Sequence, residues 1–138
     1  MPAVTADVAE VEWAKRALFS NAGSENLTLK LYSNNITPAE GDTASTYTEA
    51  TFTNYVAKTL TSSQSASTWA VPTTTSGVTS STYQTNQTWT CGATGQTIYG
   101  LYAIFAISTI LALAESFSGP ITLADGSTLT ITPKIVLD

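Results

Sequence analysis

Polar and apolar residues alternate with period two over Thr128-Leu129-Thr130-Ile131-Thr132, the mark of a strand with one face in a core. Ile135 and Leu137 carry that face past Pro133, so Leu129, Ile131 and Ile135 are expected inside. Leu27 to Tyr32 (LTLKLY) alternates too, with Leu27, Leu29 and Leu31 on one face and Thr28, Lys30 and Tyr32 on the other. Ile98 to Ala106 and Thr109 to Ala114 are rich in Ile, Tyr, Phe and Leu, and predict two more buried antiparallel strands. A single helix is the rival there; Gly100, the aromatics and β-branched Thr97, Ile98, Ile107 and Thr109 count against it. The connection between them, Ala106-Ile107-Ser108, has no turn dipeptide.

Asp125-Gly126 is the strongest turn signal in the chain. A three-residue hairpin loop there sets Leu123 opposite Leu129 and Ile121 opposite Ile131, keeping one apolar face, with Gly126 in or beside the left-handed region. A bend between sheets without pairing would void that register. Residues 33–45 hold Asn34-Asn35, Pro38 and Gly41-Asp42 and predict a loop. Strands are further predicted at about Tyr55 to Thr61 and at Thr85 to Cys91, the latter closed by the turn Gly92-Ala93-Thr94-Gly95. Between them Ser62 to Thr82 predicts a long, partly extended excursion around Trp69. Short strands at such spacing predict an all-β fold, a two-sheet antiparallel β-sandwich or jelly-roll-like domain over residues 24–138.

Helical spacing occurs once. Val4, Val8, Val11, Ala14 and Leu18 form a stripe that Trp13 and Phe19 widen, with Thr5 as cap, acidic residues early, Lys15 and Arg16 late, and Gly23 as a stop. One N-terminal α-helix is therefore expected within residues 1–23. Such a stripe packs either on the domain's own sheet or on a neighbour.

The 138 residues carry a net charge of −5, and only 11% are charged against about 25% in an ordinary domain. Nucleic acid is not an expected partner, since that needs a basic footprint. From Thr59 through Ala114 there is no Asp, Glu, Lys or Arg at all. Depleted charge is a property of interface cores, so part of this segment is a candidate contact surface. No stretch reaches the roughly 20 apolar residues of a membrane span, and MPAVTADVAE lacks the features of a secretory signal. A soluble product is expected, and the sequons at Asn26, Asn35 and Asn86 are then without meaning.

Histidine is absent, which removes the commonest general base and metal ligand. Cys91 is the only cysteine and reads as a small core residue. Glu115 follows the uncharged run; a strand-end carboxylate of this kind pairs with a lysine, here Lys30, Lys58 or Lys134. Glu40, Asp42 and Glu49 lack the dense spacing of a calcium loop. Neither an enzyme nor a cofactor or metal site is expected.

Three blocks, taken in order, carry a resemblance: LTLKLYSNNITPAEGDTASTYTEATFTNYVAKTL, TWTCGATGQTIYGLYAI and LALAESFSGPITLADGSTLTITPKIVL. Together they resemble a family of small virion proteins encoded beside head genes in tailed bacteriophages. The chain departs from that pattern at Ser116 and over residues 62–84. The resemblance implies a structural role in the particle, with no catalytic residues to carry over. It points first to a capsid cement or decoration protein that contacts the major capsid protein, commonly as a homotrimer, and secondly to a neck, tail or fibre component. The candidate interface residues are Trp69, Thr74, Val78, Tyr83 and Trp13. An alternative of another class is a carbohydrate-binding sandwich with Trp69, Trp89, Tyr83, Tyr99 and Tyr102 as stacking platforms, against which core packing is the bland reading.

Overall fold

The computed structural model describes residues 25–63 and 66–137. The expected helix, Trp13 and the segment 1–23 lie outside the described residues. What is described is all-β and antiparallel, apart from a short 3-10 turn at Ala44–Thr46.

Four strands form the central sheet: β1 (Leu27–Tyr32), β2 (Lys58–Leu60), β6 (Gln96–Phe105) and β7 (Leu111–Leu123), in the order β2-β1-β6-β7. Leu29 lies opposite Ala103, which lies opposite Leu113; Leu31, Leu101 and Glu115 form the next row. The Leu and Ala side chains of these rows are buried, as the alternation of β1 predicts. Tyr32 does not follow that alternation. It sits on the opposite face and is fully buried, because residues 33–57 fold over that side. There Tyr47 stacks on Tyr102 at 5.0 Å and tilts against Tyr32 at 5.0 Å. Both faces of β1 are thus covered.

β7 is longer than its pattern predicts and twice breaks register with β6, between Ile98 and Gly100 and between Ala103 and Ile104. At the first break residues 117–120 bulge out, where Pro120 sits without loss because, among the described residues, β7 is paired on one side only. The turn before β7 gets its order from far away in sequence. The Glu25 carboxylate accepts hydrogen bonds from the Ile107 and Ser108 amides at 2.8 and 3.0 Å, and Thr109 adopts a left-handed φ of 59°.

The remaining strands are β3 (Thr73–Thr75), β4 (Val78–Thr82), β5 (Gln87–Thr90), β8 (Thr128–Ile131) and β9 (Lys134–Leu137). β4 pairs with β9, and β5 with β8. Between the two ladders the Tyr83 amide donates to the Pro133 carbonyl, so the pairs follow one another as an interrupted ribbon. β3 adds to β4 through a two-residue turn, Ser76-Gly77, both at positive φ. The excursion expected at Ser62 to Thr82 is therefore partly a regular hairpin, and the strand expected from Tyr55 shortens to Lys58–Leu60.

The register expected at Asp125-Gly126 is overturned: β7 does not pair with β8. Gly126 is left-handed as expected, at φ 81°. Its amide donates to the Cys91 carbonyl, however, and the Cys91 amide donates to the Ser127 carbonyl. Pinned there, the chain leaves the central sheet and enters the ribbon. Leu129, Ile131 and Ile135 are packed against the core and partly buried. Cys91 is a core residue, 1% exposed.

Candidate interaction surface and the cavity beneath it

The two strands of the β3–β4 hairpin are built of Thr, Ser and Val alone, and Lys134 is the one charge in the sheet they form with β9. Thr73, Thr74 and Thr75 are exposed, and the Thr74 and Thr79 hydroxyls bond across the hairpin at 2.8 Å. Val71 is 62% exposed, Val78 38% and Leu137 40%. Leu137 lies opposite Thr79, one residue from Val78, so apolar and threonine surface are contiguous at this end of the sheet. Among the described residues β3 pairs only with β4. Its outer edge carries neither the lysine nor the inward charge by which exposed strands discourage pairing, although Pro72 precedes it.

Of the candidate interface residues, Thr74 and Val78 lie on this surface. Trp69 and Tyr83 lie behind it. They form an isolated bridge and an edge-to-face pair at 5.1 Å. Tyr83 is 5% exposed, and its hydroxyl accepts from the Thr61 amide, so it braces the chain from within. Trp69 is half-buried.

Trp69 also lines a cavity of about 380 Å³ between the central sheet and the β8–β9 segment. Leu29, Leu101, Ala103, Leu113, Glu115 and Phe117 form one wall, and Ile131, Pro133, Lys134 and Val136 lie across from them. Burial raises the Glu115 carboxyl above the ordinary carboxylate range. The expected lysine partner of Glu115 is not found. Lys30 binds Glu49 at 2.8 Å, Lys58 lies over the Trp89 ring at 5.4 Å, and Lys134 shares only the cavity wall. Sequence reasoning missed this cavity because its walls come from strands far apart in the chain.

Two other acidic side chains, Asp42 and Glu49, serve the loop that covers the central sheet. Asp42 accepts from the Tyr47 hydroxyl at 2.7 Å, and Glu49 accepts from Tyr55 as well as Lys30. Burial pushes Tyr32 and Tyr102 up to about 12, and Tyr47 and Tyr55 higher still. Among the described residues no three His, Cys, Asp or Glu gather as metal ligands. None of their helices is long and apolar enough to cross a membrane.

No protein-family model matches the chain, and no curated protein matches it.

Proposed function

We propose that this chain is a structural protein of a bacteriophage particle, a capsid cement or decoration protein that binds the major capsid protein and its own copies through neutral surface. The finer architecture we assign to it is a jelly-roll-like sandwich, with the central sheet as one layer and the β3-β4-β9 and β5-β8 ribbon as the other. The observation that carries the role is the uncharged, partly apolar hairpin end, where Val71, Thr74, Val78 and Leu137 are all at the surface. Such a surface binds by burying apolar area and pairing hydroxyls, with little ionic contribution. The resemblance of the three sequence blocks to small virion proteins supplies the setting: assembly in the host cytoplasm, residence in the virion, and a trimer as the expected form. A carbohydrate-binding reading fits less well, since Trp89, Tyr83 and Tyr102 are 2%, 5% and 3% exposed and present no ring to a sugar.

Thr74→Lys and Val78→Glu place charge on this surface at positions that do not support the core. Both are expected to reduce self-association and binding to capsids lacking the protein, while the melting transition is kept. Association of the unmodified chain is expected to change little as salt rises through the range that screens surface ion pairs. Sedimentation at low and high salt measures all of this. A monomer that also fails to bind such capsids would end the cement reading.

A further inference from the structure

β3 is an edge of its sheet, and its backbone geometry fixes which groups that edge offers. The hairpin closes through the two-residue turn Ser76-Gly77, both at positive φ. Such a turn closes on a hydrogen-bonded pair, here Thr75 and Val78, and alternation makes Thr73 and Ser80 the next one. Thr74 lies between them opposite Thr79, in a pair that exchanges no backbone bonds. Its amide and carbonyl therefore point away from β4, and among the described residues no strand meets them. All three threonines of β3 are exposed.

Two observations say what meets this edge. The first is how the chain uses facing threonines. Thr74 and Thr79, Thr88 and Thr130, and Thr97 and Thr122 stand opposite one another in three different ladders. Their hydroxyls join at 2.8, 3.0 and 3.0 Å respectively. A strand of three threonines is thus matched to another of the same kind, and β3 is matched to itself. Laid antiparallel about a two-fold axis at Thr74, it sets Thr74 against Thr74 and Thr73 against Thr75. The second observation is charge. Residues beside a two-fold axis face their own copies, so a charged side chain there would meet its like. The strands β3 and β4 carry no charge, in a chain whose net charge of −5 otherwise makes its copies repel. A partner of another kind would impose no such restriction.

We propose that β3 pairs with β3 of a second copy of this chain, antiparallel and centred on Thr74, joining two three-stranded sheets into one of six strands. The amide of each Thr74 donates to the carbonyl of the other. The ladder is short, because Pro72 has no amide with which to extend it. The inference deepens the self-association in the proposed function and rests on that part of it; the capsid setting is not needed. The contact is two-fold, and so separate from the three-fold contact expected of a trimer.

The test uses the full chain in a Cys91→Ala background. Thr73→Cys, Thr74→Cys and Thr75→Cys are made singly and oxidised mildly, and dimers are read on a non-reducing gel. Thr74→Cys is expected to cross-link by itself, since directly opposed residues lie within disulfide reach. Thr73→Cys and Thr75→Cys are each offset from their own copies by two residues, roughly 7–8 Å, at the limit of that reach. Each is expected to cross-link slowly alone, and about tenfold faster when the two are mixed. Without added cysteines, Thr74→Pro removes the outward amide from an edge position that tolerates proline. It is expected to weaken association in sedimentation roughly thirtyfold, the usual net worth of two hydrogen bonds. Thr74→Val keeps the amide and is expected to weaken it far less. A chain that stays monomeric at every concentration would overturn this inference together with the self-association reading. An oligomer in which Thr74→Cys cross-links no faster than Thr73→Cys, or which Thr74→Pro leaves intact, would overturn the strand pairing alone.

Discussion

Replacing Gly100 by alanine should damage this fold more than its single added methyl would indicate. Gly100 lies in β6 at the first break of register with β7, opposite Ser116. A Cβ built there falls inside van der Waals contact of the Glu115 carbonyl oxygen and 2.6 Å from both Cε1 and the hydroxyl of Tyr32. Neither neighbour can give way cheaply. The carbonyl is backbone next to the bulge. The Tyr32 ring is fully buried against Tyr47, and its hydroxyl donates to the Ile36 carbonyl at 3.4 Å. Overpacking of a core by a methyl or methylene costs about 1–3 kcal/mol, and a backbone clash places this case toward the top of that range. Alanine regains about 0.5–1 kcal/mol that glycine costs in a strand interior, leaving a net loss of roughly 2 kcal/mol. Gly119→Ala is the matched control. It lies in β7, where an added Cβ meets nothing within 4 Å, and is expected to be neutral or to stabilise by up to about 0.5–1 kcal/mol. Urea titration of the three proteins by fluorescence and circular dichroism should show a lowered midpoint for Gly100→Ala and an unchanged or raised one for Gly119→Ala, at constant slope. If Gly100→Ala unfolds at the wild-type midpoint, or moves together with Gly119→Ala, the packing argument for this bulge is wrong.

Three further outcomes are expected. Glu115→Gln should stabilise the protein near neutrality. The carboxyl's folded pKa is raised by burial, so its favourable contribution is full below the unfolded value of 4.5 and is lost as pH rises through the folded value. The advantage of the glutamine should accordingly vanish in melts taken below pH 4.5. Thr109→Gly should raise stability by about 1 kcal/mol, because a β-branched residue at φ 59° carries strain that glycine does not; an unchanged urea midpoint would show that the turn is relaxed. Tyr32 and Tyr102 are raised from 10.0 to about 12, chiefly by burial. Their stabilising contribution is therefore full below pH 10 and lost as pH rises to about 12, which phenolate absorbance and ellipticity should report as coincident alkaline unfolding.

What the pattern of residues disclosed, and what it hid, follows from where the ordering forces come from. β1 was legible to the residue because Leu27, Leu29 and Leu31 meet one wall and the alternation is local. Tyr32 escaped that reading, since its cover comes from Tyr47 in the loop after it. The β3–β4 hairpin was concealed for another reason. Thr73 to Thr75 and Val78 to Thr82 have no apolar alternation, because neither face of that hairpin is deeply buried, and only the Ser76-Gly77 dipeptide marked its turn. The turn at Ala106 to Thr109 lacked a signal because its stabilising carboxylate, Glu25, is 82 residues from Ile107. At Asp125-Gly126 the turn was read and the pairing misread. The choice between a hairpin and a switch between sheets was decided by Cys91, whose amide and carbonyl hold that turn.

The uncharged run from Thr59 to Ala114 divides in the structure into two kinds of surface, and only one asks for an explanation. Trp89, Cys91, Ile98, Leu101, Ala103 and Phe105 are buried, and there a charge would be excluded by its desolvation cost in any soluble domain. Thr73, Thr74, Thr75 and Val78 are exposed, as are Val71 and Ile107, the last at 82%. At such positions a lysine or glutamate costs the fold little, since surface substitutions usually change stability by no more than about 0.5 kcal/mol. Folding therefore does not account for the lack of charge there. Val71, Val78 and Leu137 would be poor choices for a surface that met only water, whereas a surface that meets protein is best served by such neutral contacts. The candidate contact region thus contracts from the whole run to the β3–β4 hairpin and the end of β9 beside it.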